Sequence, residues 1–379
     1  MTDRRCGSHG ENLTMRALYL LAILFVVDGH VPLRDMMDLG GLMGYYSFHL
    51  MLFAFVSGYF FDPDKPAAVS LAGKAKKLLV PLYAWNAVYG LGAALLRRVG
   101  GFELGQPLSA YTLLLAPLTD GQHFSYNLGS WFVFPLFLSQ ALYLAVQRLC
   151  ARVLRRGWEW AAMALCLAAG SVAVNLCYGG QQDALPLFVM RTLILLPGYA
   201  GGVLYRRRLE AHDNLPTAPY MLVLLALRAL MFTRYENLSY LLSDCTYYPC
   251  GAFGVYAGGL LAIAFWLRIA RMIAPMMARS RLALYAGRHT FDIMMHHFMG
   301  FFAVNCVFLV MNMLGVGAKD FSVRSFRTVG DYVYAPYGRP QYAVLYVMAG
   351  VLLPLLIAFV MEWLQRRLRG MKKEGARNG

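Results

Sequence analysis

The chain is predicted to be an all-α integral membrane protein with about ten transmembrane helices and both termini in the cytoplasm. Three observations predict it. Hydrophobic residues make up 59% of the 379 residues and charged residues only 15%, where a soluble domain carries about 25% charged. Apolar stretches recur along the whole length, most near the ~20 residues that cross a ~30 Å hydrocarbon core. Lys and Arg cluster on alternate sides of those stretches, as the positive-inside rule requires.

The predicted spans are 15–31, 44–61, 77–96, 130–147, 158–177, 186–205, 218–233, 250–268, 286–314 and 341–364. The first follows Arg4 and Arg5 and superficially resembles a signal peptide. No small-x-small cleavage site follows it, and Asp28-Gly29-His30-Val31-Pro32 comes instead, so it reads as a retained span. The second opens at Phe48-His49 and ends before the turn Asp62-Pro63-Asp64-Lys65-Pro66. Lys74, Lys76 and Lys77 lead into the third, and the sixth carries Arg191. The seventh is short and contains Arg228, and the ninth carries His296 and His297. No internal repeat or appended soluble segment interrupts this pattern, so residues 1–379 read as one polytopic domain.

With the N-terminus inside, 25 Lys and Arg residues fall on the cytoplasmic side and eight outside. That split accounts for the net charge of +15 without a nucleic-acid partner, which needs a basic patch on a water-exposed face. The seven cysteines lack metal-type spacing. Cys245 and Cys250 share a hydrophilic loop, and the sequence leaves open whether they pair or stand as two thiols.

Ionisable side chains inside a bilayer are rare and usually functional. His30 closes the first span and His49 opens the second, so a helical hairpin returns both imidazoles to a similar depth. Two groups titrating near neutrality between apolar walls suggest proton transfer. Asp28 orients His30 only if Gly29 breaks the helix, since residues two apart face different sides. Of His296 and His297, about 100° apart, at most one points in a given direction. Arg191 must find an anion or a ring of carbonyls. Ser57-Gly58 reads as a close-packing site. No ligand spacing of the His-Glu-x-x-His kind occurs, so no metal is expected.

Several stretches together resemble the membrane-bound acyltransferase family 3, polytopic O-acyltransferases of bacterial surface glycans, with the fucose 4-O-acetylase-like branch the nearest in pattern. They are Val26-Val27-Asp28-Gly29-His30, the run Phe48 to Tyr59 with its Phe-His and Ser-Gly-Tyr, Lys74 to Pro81 followed by Trp85-Asn86, and Tyr285-Ala286-Gly287-Arg288 through His297. Leu196 to Gly202 with Arg206–Arg208 is also similar. The resemblance implies transfer of an acyl group, usually acetyl from acetyl-CoA, to a carbohydrate hydroxyl. His30 matches the family's essential histidine, and His49 and His297 its further histidines. Lys74, Lys76 and Lys77 match its donor-side basic residues. The family often has a basic residue where this chain has Tyr19. Arg16, one turn earlier and about 60° off the same face, is the substitute available. Leu50-Met51 and Asp28 are further departures.

The sequence thus points to an integral membrane O-acyltransferase of a bacterial cytoplasmic membrane. His30 and His49 are its catalytic residues, with His297, Asp28 and Arg191 supporting them. Lys74, Lys76, Lys77 and Arg16 meet an acyl-CoA donor, and no bound cofactor is expected. The alternative is a glycan or small-anion transporter using the same His and Arg residues, although the inverted repeats and broken helices of such proteins are not evident.

Overall fold

In the computed structural model, residues 6–7, 11–31, 39, 41–121, 124–177, 184–330, 332–336 and 341–375 are described. Arg4, Arg5, Arg34, Arg339 and Arg377, which entered the charge count, lie outside them. A two-residue antiparallel pairing, β1 (Cys6–Gly7) with β2 (Glu11–Asn12), precedes a wholly helical body. Its helices are α1 (Leu13–Gly29), α2 (His49–Tyr59), α3 (Ala67–Gly100), α4 (Val133–Val153), α5 (Trp158–Cys177), α6 (Ala184–Leu204) and α7 (Thr217–Arg234). There follow α8 (Gly251–Phe253), α9 (Gly259–Arg279), α10 (Arg281–Arg288), α11 (Thr290–Met313), α12 (Val323–Thr328) and α13 (Gln341–Gly375).

Eight helical stretches among the described residues are long and apolar enough to cross a membrane. This is an all-α, multi-pass membrane protein. The helices that position the histidine pair fall outside that set: α1 has 17 residues and α2 only 11. At 1.5 Å per residue α2 rises about 16 Å, roughly half of the hydrocarbon thickness. The expected second span, 44–61, is therefore a short helix preceded by a 3₁₀ turn over Tyr45–Ser47. Hydropathy alone hid this break, because a window of about 19 residues averages across a three-residue turn.

α1 is apolar on every side, and a helix of that kind belongs in the interior. Asn12 caps its start, its side chain accepting from the Met15 amide at 3.1 Å. Ten of its 17 residues are buried, Asp28 among them, against α2, α9, α10, α11 and α13. α3, α7 and α13 expose most of their apolar side chains, as helices facing lipid do.

α2 and α6 approach until their backbones touch. A Cβ added at Gly58 would lie 2.0 Å from the Tyr199 carbonyl oxygen, and one at Gly202 1.9 Å from that of Phe55. Small residues permit this approach, and dispersion over the joined faces holds it. The Ser57-Gly58 pair is part of this seam, as its composition suggests.

Just after α6 and along α9, several arginines meet carboxylates. Tyr59 donates to Glu210 at 2.8 Å, and Arg206 bonds both Glu210 (2.7 Å) and the Tyr59 hydroxyl (2.9 Å). Arg207 and Arg208 share Glu159 at 2.9 and 3.0 Å, and Arg268 and Arg271 both pair with Asp213. The cluster sits at the end of α2 opposite His49. Tyr59 ties that end of the short helix to Glu210 and Arg206. Cys245 and Cys250 are separate buried thiols.

Candidate active site

α1 ends where the site begins. His30 is its C-cap residue, and its Nδ1 lies 2.8 Å from the Val26 carbonyl oxygen. A carbonyl only accepts, so the hydrogen of this imidazole is on Nδ1. The same nitrogen lies 3.2 Å from His297 Nε2 on α11. His297 Nδ1 in turn faces the carbonyls of Met294 (2.8 Å) and Ile293 (3.2 Å). His297 therefore donates through Nδ1 and accepts through Nε2. The two bonds together hold His30 with Nε2 as its basic nitrogen.

His49 obeys the same rule. Its Nδ1 donates to the Tyr45 carbonyl at 2.6 Å, which again makes Nε2 the basic atom. His30 and His49 both line one cavity of about 170 Å³. Its walls are mainly aromatic and include Phe25, Tyr45, Tyr46, Phe53, Trp131 and Phe132. Tyr240 to Ser243, from the loop after α7, close one side. Burial pushes the Tyr240 hydroxyl above the usual phenol range, so it meets the cavity as a neutral phenol.

Two arginines frame this cavity from outside. Arg191, 2% exposed, donates to the carbonyls of Asp120 (2.8 Å) and Ser243 and stacks 4.7 Å from the Trp131 ring. It meets carbonyls, one of the two partners its position demanded, and so holds two pieces of cavity wall. Arg228 is fully buried and donates to the Leu42 carbonyl (2.8 Å), the Gly258 carbonyl (2.6 Å) and the Ser47 hydroxyl. It pins the Tyr45–Ser47 turn directly before His49. Sequence reasoning passed over Arg228 as a blemish in a weak span. The signal was present, since an Arg within an apolar run demands several acceptors.

The remaining candidates are spread out. Asp28 is wholly buried within the last turn of α1. Lys74 turns inward to Gln140 and the Tyr199 hydroxyl, whereas Lys76 and Lys77 are exposed on α3. The stem of Arg16 lies over Gly287 at the end of α10. Tyr19, at the position where a base was looked for, instead bonds the Ser57 hydroxyl at 2.9 Å. His296 points away from His297 to the Tyr89 hydroxyl on α3, 2.8 Å away. Among the described residues, no three His, Cys, Asp or Glu side chains are grouped as metal ligands would be.

The chemistry this arrangement offers is general-base catalysis in an aromatic-walled pocket. The sequence matches a family model described as an acyltransferase domain over residues 15–363. No curated protein and no solved structure gives a significant match.

Proposed function

Since the chain belongs to the acyltransferase family that covers nearly its whole length, and is thus a membrane acyltransferase, we propose that it transfers an acetyl group from acetyl-CoA to a carbohydrate hydroxyl. The observation that carries the reading is the pair of imidazoles with Nδ1 committed to backbone carbonyls and a shared cavity. Each has its basic nitrogen set before any substrate arrives.

The steps follow from that geometry. The acceptor hydroxyl enters the aromatic cavity, and His30 Nε2 takes its proton as the oxygen attacks the thioester carbonyl. The C–O bond forms, the tetrahedral intermediate collapses, and the C–S bond breaks. The thiolate leaves with little acid assistance, because a thiol pKa is about 8.5. General-base help of this kind contributes typically about 10²–10⁴-fold. His49 faces the same cavity, and its Nε2, likewise an acceptor, would hold the sugar through a neighbouring hydroxyl. His297 and Val26 keep the imidazolium of His30 in place while it carries the proton. Asp28 adds negative charge near that imidazolium, and Arg191 shapes the cavity wall.

On the donor side, Lys74, Lys76 and Lys77 with Arg16 would meet the phosphates of the CoA moiety. On this reading the donor arrives from the cytoplasm, where both termini lie, and the acceptor is presented at the outer end of the bundle in a bacterial cytoplasmic membrane.

Purified protein given radiolabelled acetyl-CoA and surface-glycan extract tests the proposal. Label in the glycan from wild type and none from His30→Ala is the expected result. Label from both would remove His30 as the base. Failure of the wild type across a panel of acyl donors and glycans would remove the donor and acceptor assignments.

A further inference from the structure

The aromatic cavity holds two bases, yet acyl transfer also calls for a hydrogen-bond donor. His30 and His49 both present Nε2 as an acceptor, whereas attack on a thioester carbonyl turns its oxygen into an oxyanion. Preorganised donors aimed at such an oxygen usually supply the largest single share of catalysis. Tyr240 lines the cavity as a buried phenol, 4% exposed. Among the described residues, no hydrogen bond engages its hydroxyl, although a phenol so enclosed normally finds a partner. Nor is that oxygen sealed within the packing, as the hydroxyls of Tyr143 and Tyr248 are. The Tyr46 hydroxyl, on the same cavity, is already committed to the Gly29 carbonyl at 2.8 Å.

Tyr240 is tied to both histidines through Tyr46. The Tyr240 amide donates to the Tyr46 carbonyl at 3.3 Å. Tyr46 stands in the 3₁₀ turn that precedes His49, its ring 5.4 Å from the His49 ring. Its hydroxyl holds the carbonyl of Gly29, the residue before His30. The loop around Tyr240 is fastened as well. Its ring stacks on that of Tyr248, centroids 5.6 Å apart, and the Leu241 amide donates to the Tyr247 carbonyl at 3.1 Å. Arg191 grips the Ser243 carbonyl. A donor fixed in this way needs no reorganisation at the moment of reaction. The Arg228 guanidinium acts on the phenol as a nearby positive charge, which favours the partial negative charge its oxygen gains in donating.

We infer that Tyr240 is a catalytic residue whose hydroxyl donates a hydrogen bond to the thioester carbonyl oxygen as that oxygen becomes negative. The inference rests on the acyl-transfer reading above. The acceptor oxygen bonds the carbonyl carbon, the C=O electron pair moves onto oxygen, and Tyr240 holds that oxyanion without giving up its own proton. When the pair returns, the C–S bond breaks and the thiolate departs, to be protonated from the imidazolium of His30. The histidines thus receive the positive charge of the reaction, and Tyr240 answers the negative one.

The test measures kcat and the apparent KM for acetyl-CoA and for surface-glycan extract in wild type, Tyr240→Phe and Tyr248→Phe. Thermal unfolding in detergent checks the fold of each. Tyr240→Phe removes a single oxygen and should lower kcat about 10²-fold, the usual effect of losing an oxyanion donor. Both KM values should stay within about threefold of wild type, and the unfolding temperature should not move. Tyr248→Phe removes the sealed hydroxyl of the stacking neighbour and should keep the wild-type kcat. A kcat for Tyr240→Phe within about threefold of wild type overturns the inference. A raised KM for the glycan at unchanged kcat makes Tyr240 a sugar contact and overturns its part in the chemistry. Equal losses of kcat in the two variants, with lowered unfolding temperatures, make the effect one of loop packing and overturn it as well. No turnover by wild type across a panel of acyl donors and glycans defeats the acyl-transfer reading itself, and the inference with it.

Discussion

His297 Nε2 lies 3.2 Å from His30 Nδ1, and in this pair His30 donates. The bond joins α1 to α11 across 267 residues of sequence, and His297 can accept only because its own Nδ1 is occupied by the Met294 carbonyl. His297→Ala should therefore remove one of the bonds that hold His30. Loss of one such bond, about 1 kcal/mol, predicts a fall in kcat of about fivefold with KM for the donor little changed. His30→Ala should fall by at least about 10². Equal losses in the two variants would make His297 a second base rather than a support.

Arg228 offers a different separation. Arg228→Met removes a donor from two carbonyls and one hydroxyl at once, each buried acceptor left bare costing about 1–3 kcal/mol. Thermal unfolding in detergent should drop markedly, and the turn before His49 should loosen. Arg228→Lys keeps the charge but not the three-way fork and should fall between. A variant as stable as wild type would show that the turn stands without the guanidinium.

The seam between α2 and α6 is predicted to be intolerant of any side chain. Gly202→Ala and Gly58→Ala both drive a Cβ into a carbonyl oxygen, which cannot move as a side chain can. Overpacking of this kind costs about 1–3 kcal/mol or more. Yield of monodisperse protein is the measurement. Gly92→Ala, where an added Cβ meets nothing within 4 Å, is the control and should behave as wild type.

Tyr19 and Arg16 can be told apart in one experiment. Tyr19→Phe removes only the bond to Ser57 and should cost about 0.5–1.5 kcal/mol of stability, with KM for acetyl-CoA unchanged. Arg16→Ala should raise that KM by about tenfold if Arg16 meets a donor phosphate, a charge-assisted bond being the stronger kind. The reverse pattern would move the donor contact to Tyr19.

The class of this protein was legible in its composition. An apolar chain with so few charges has no way to cover itself in water, and the fold is all-helical because a bilayer leaves backbone groups no other partners. His30, His49 and Arg191 were legible for the same reason, as polar groups placed where they are expensive. The break inside 44–61 was not, since the 3₁₀ turn of Tyr45, Tyr46 and Ser47 is too short to register in a hydropathy window of about 19 residues. Nor was the scatter of the basic cluster, with Lys74 turned in and Lys76 and Lys77 turned out, because helix phase depends on what packs alongside.

The sequence by itself determined that the chain lives in a membrane and which few side chains must answer for their presence there. The tertiary structure alone decided which of them meet. His297 meets His30, His296 turns to α3, and Arg228 holds the turn before His49. Each of these pairings joins residues distant along the chain. Hydropathy depends on local composition, whereas a hydrogen bond depends on positions set by every helix packed between.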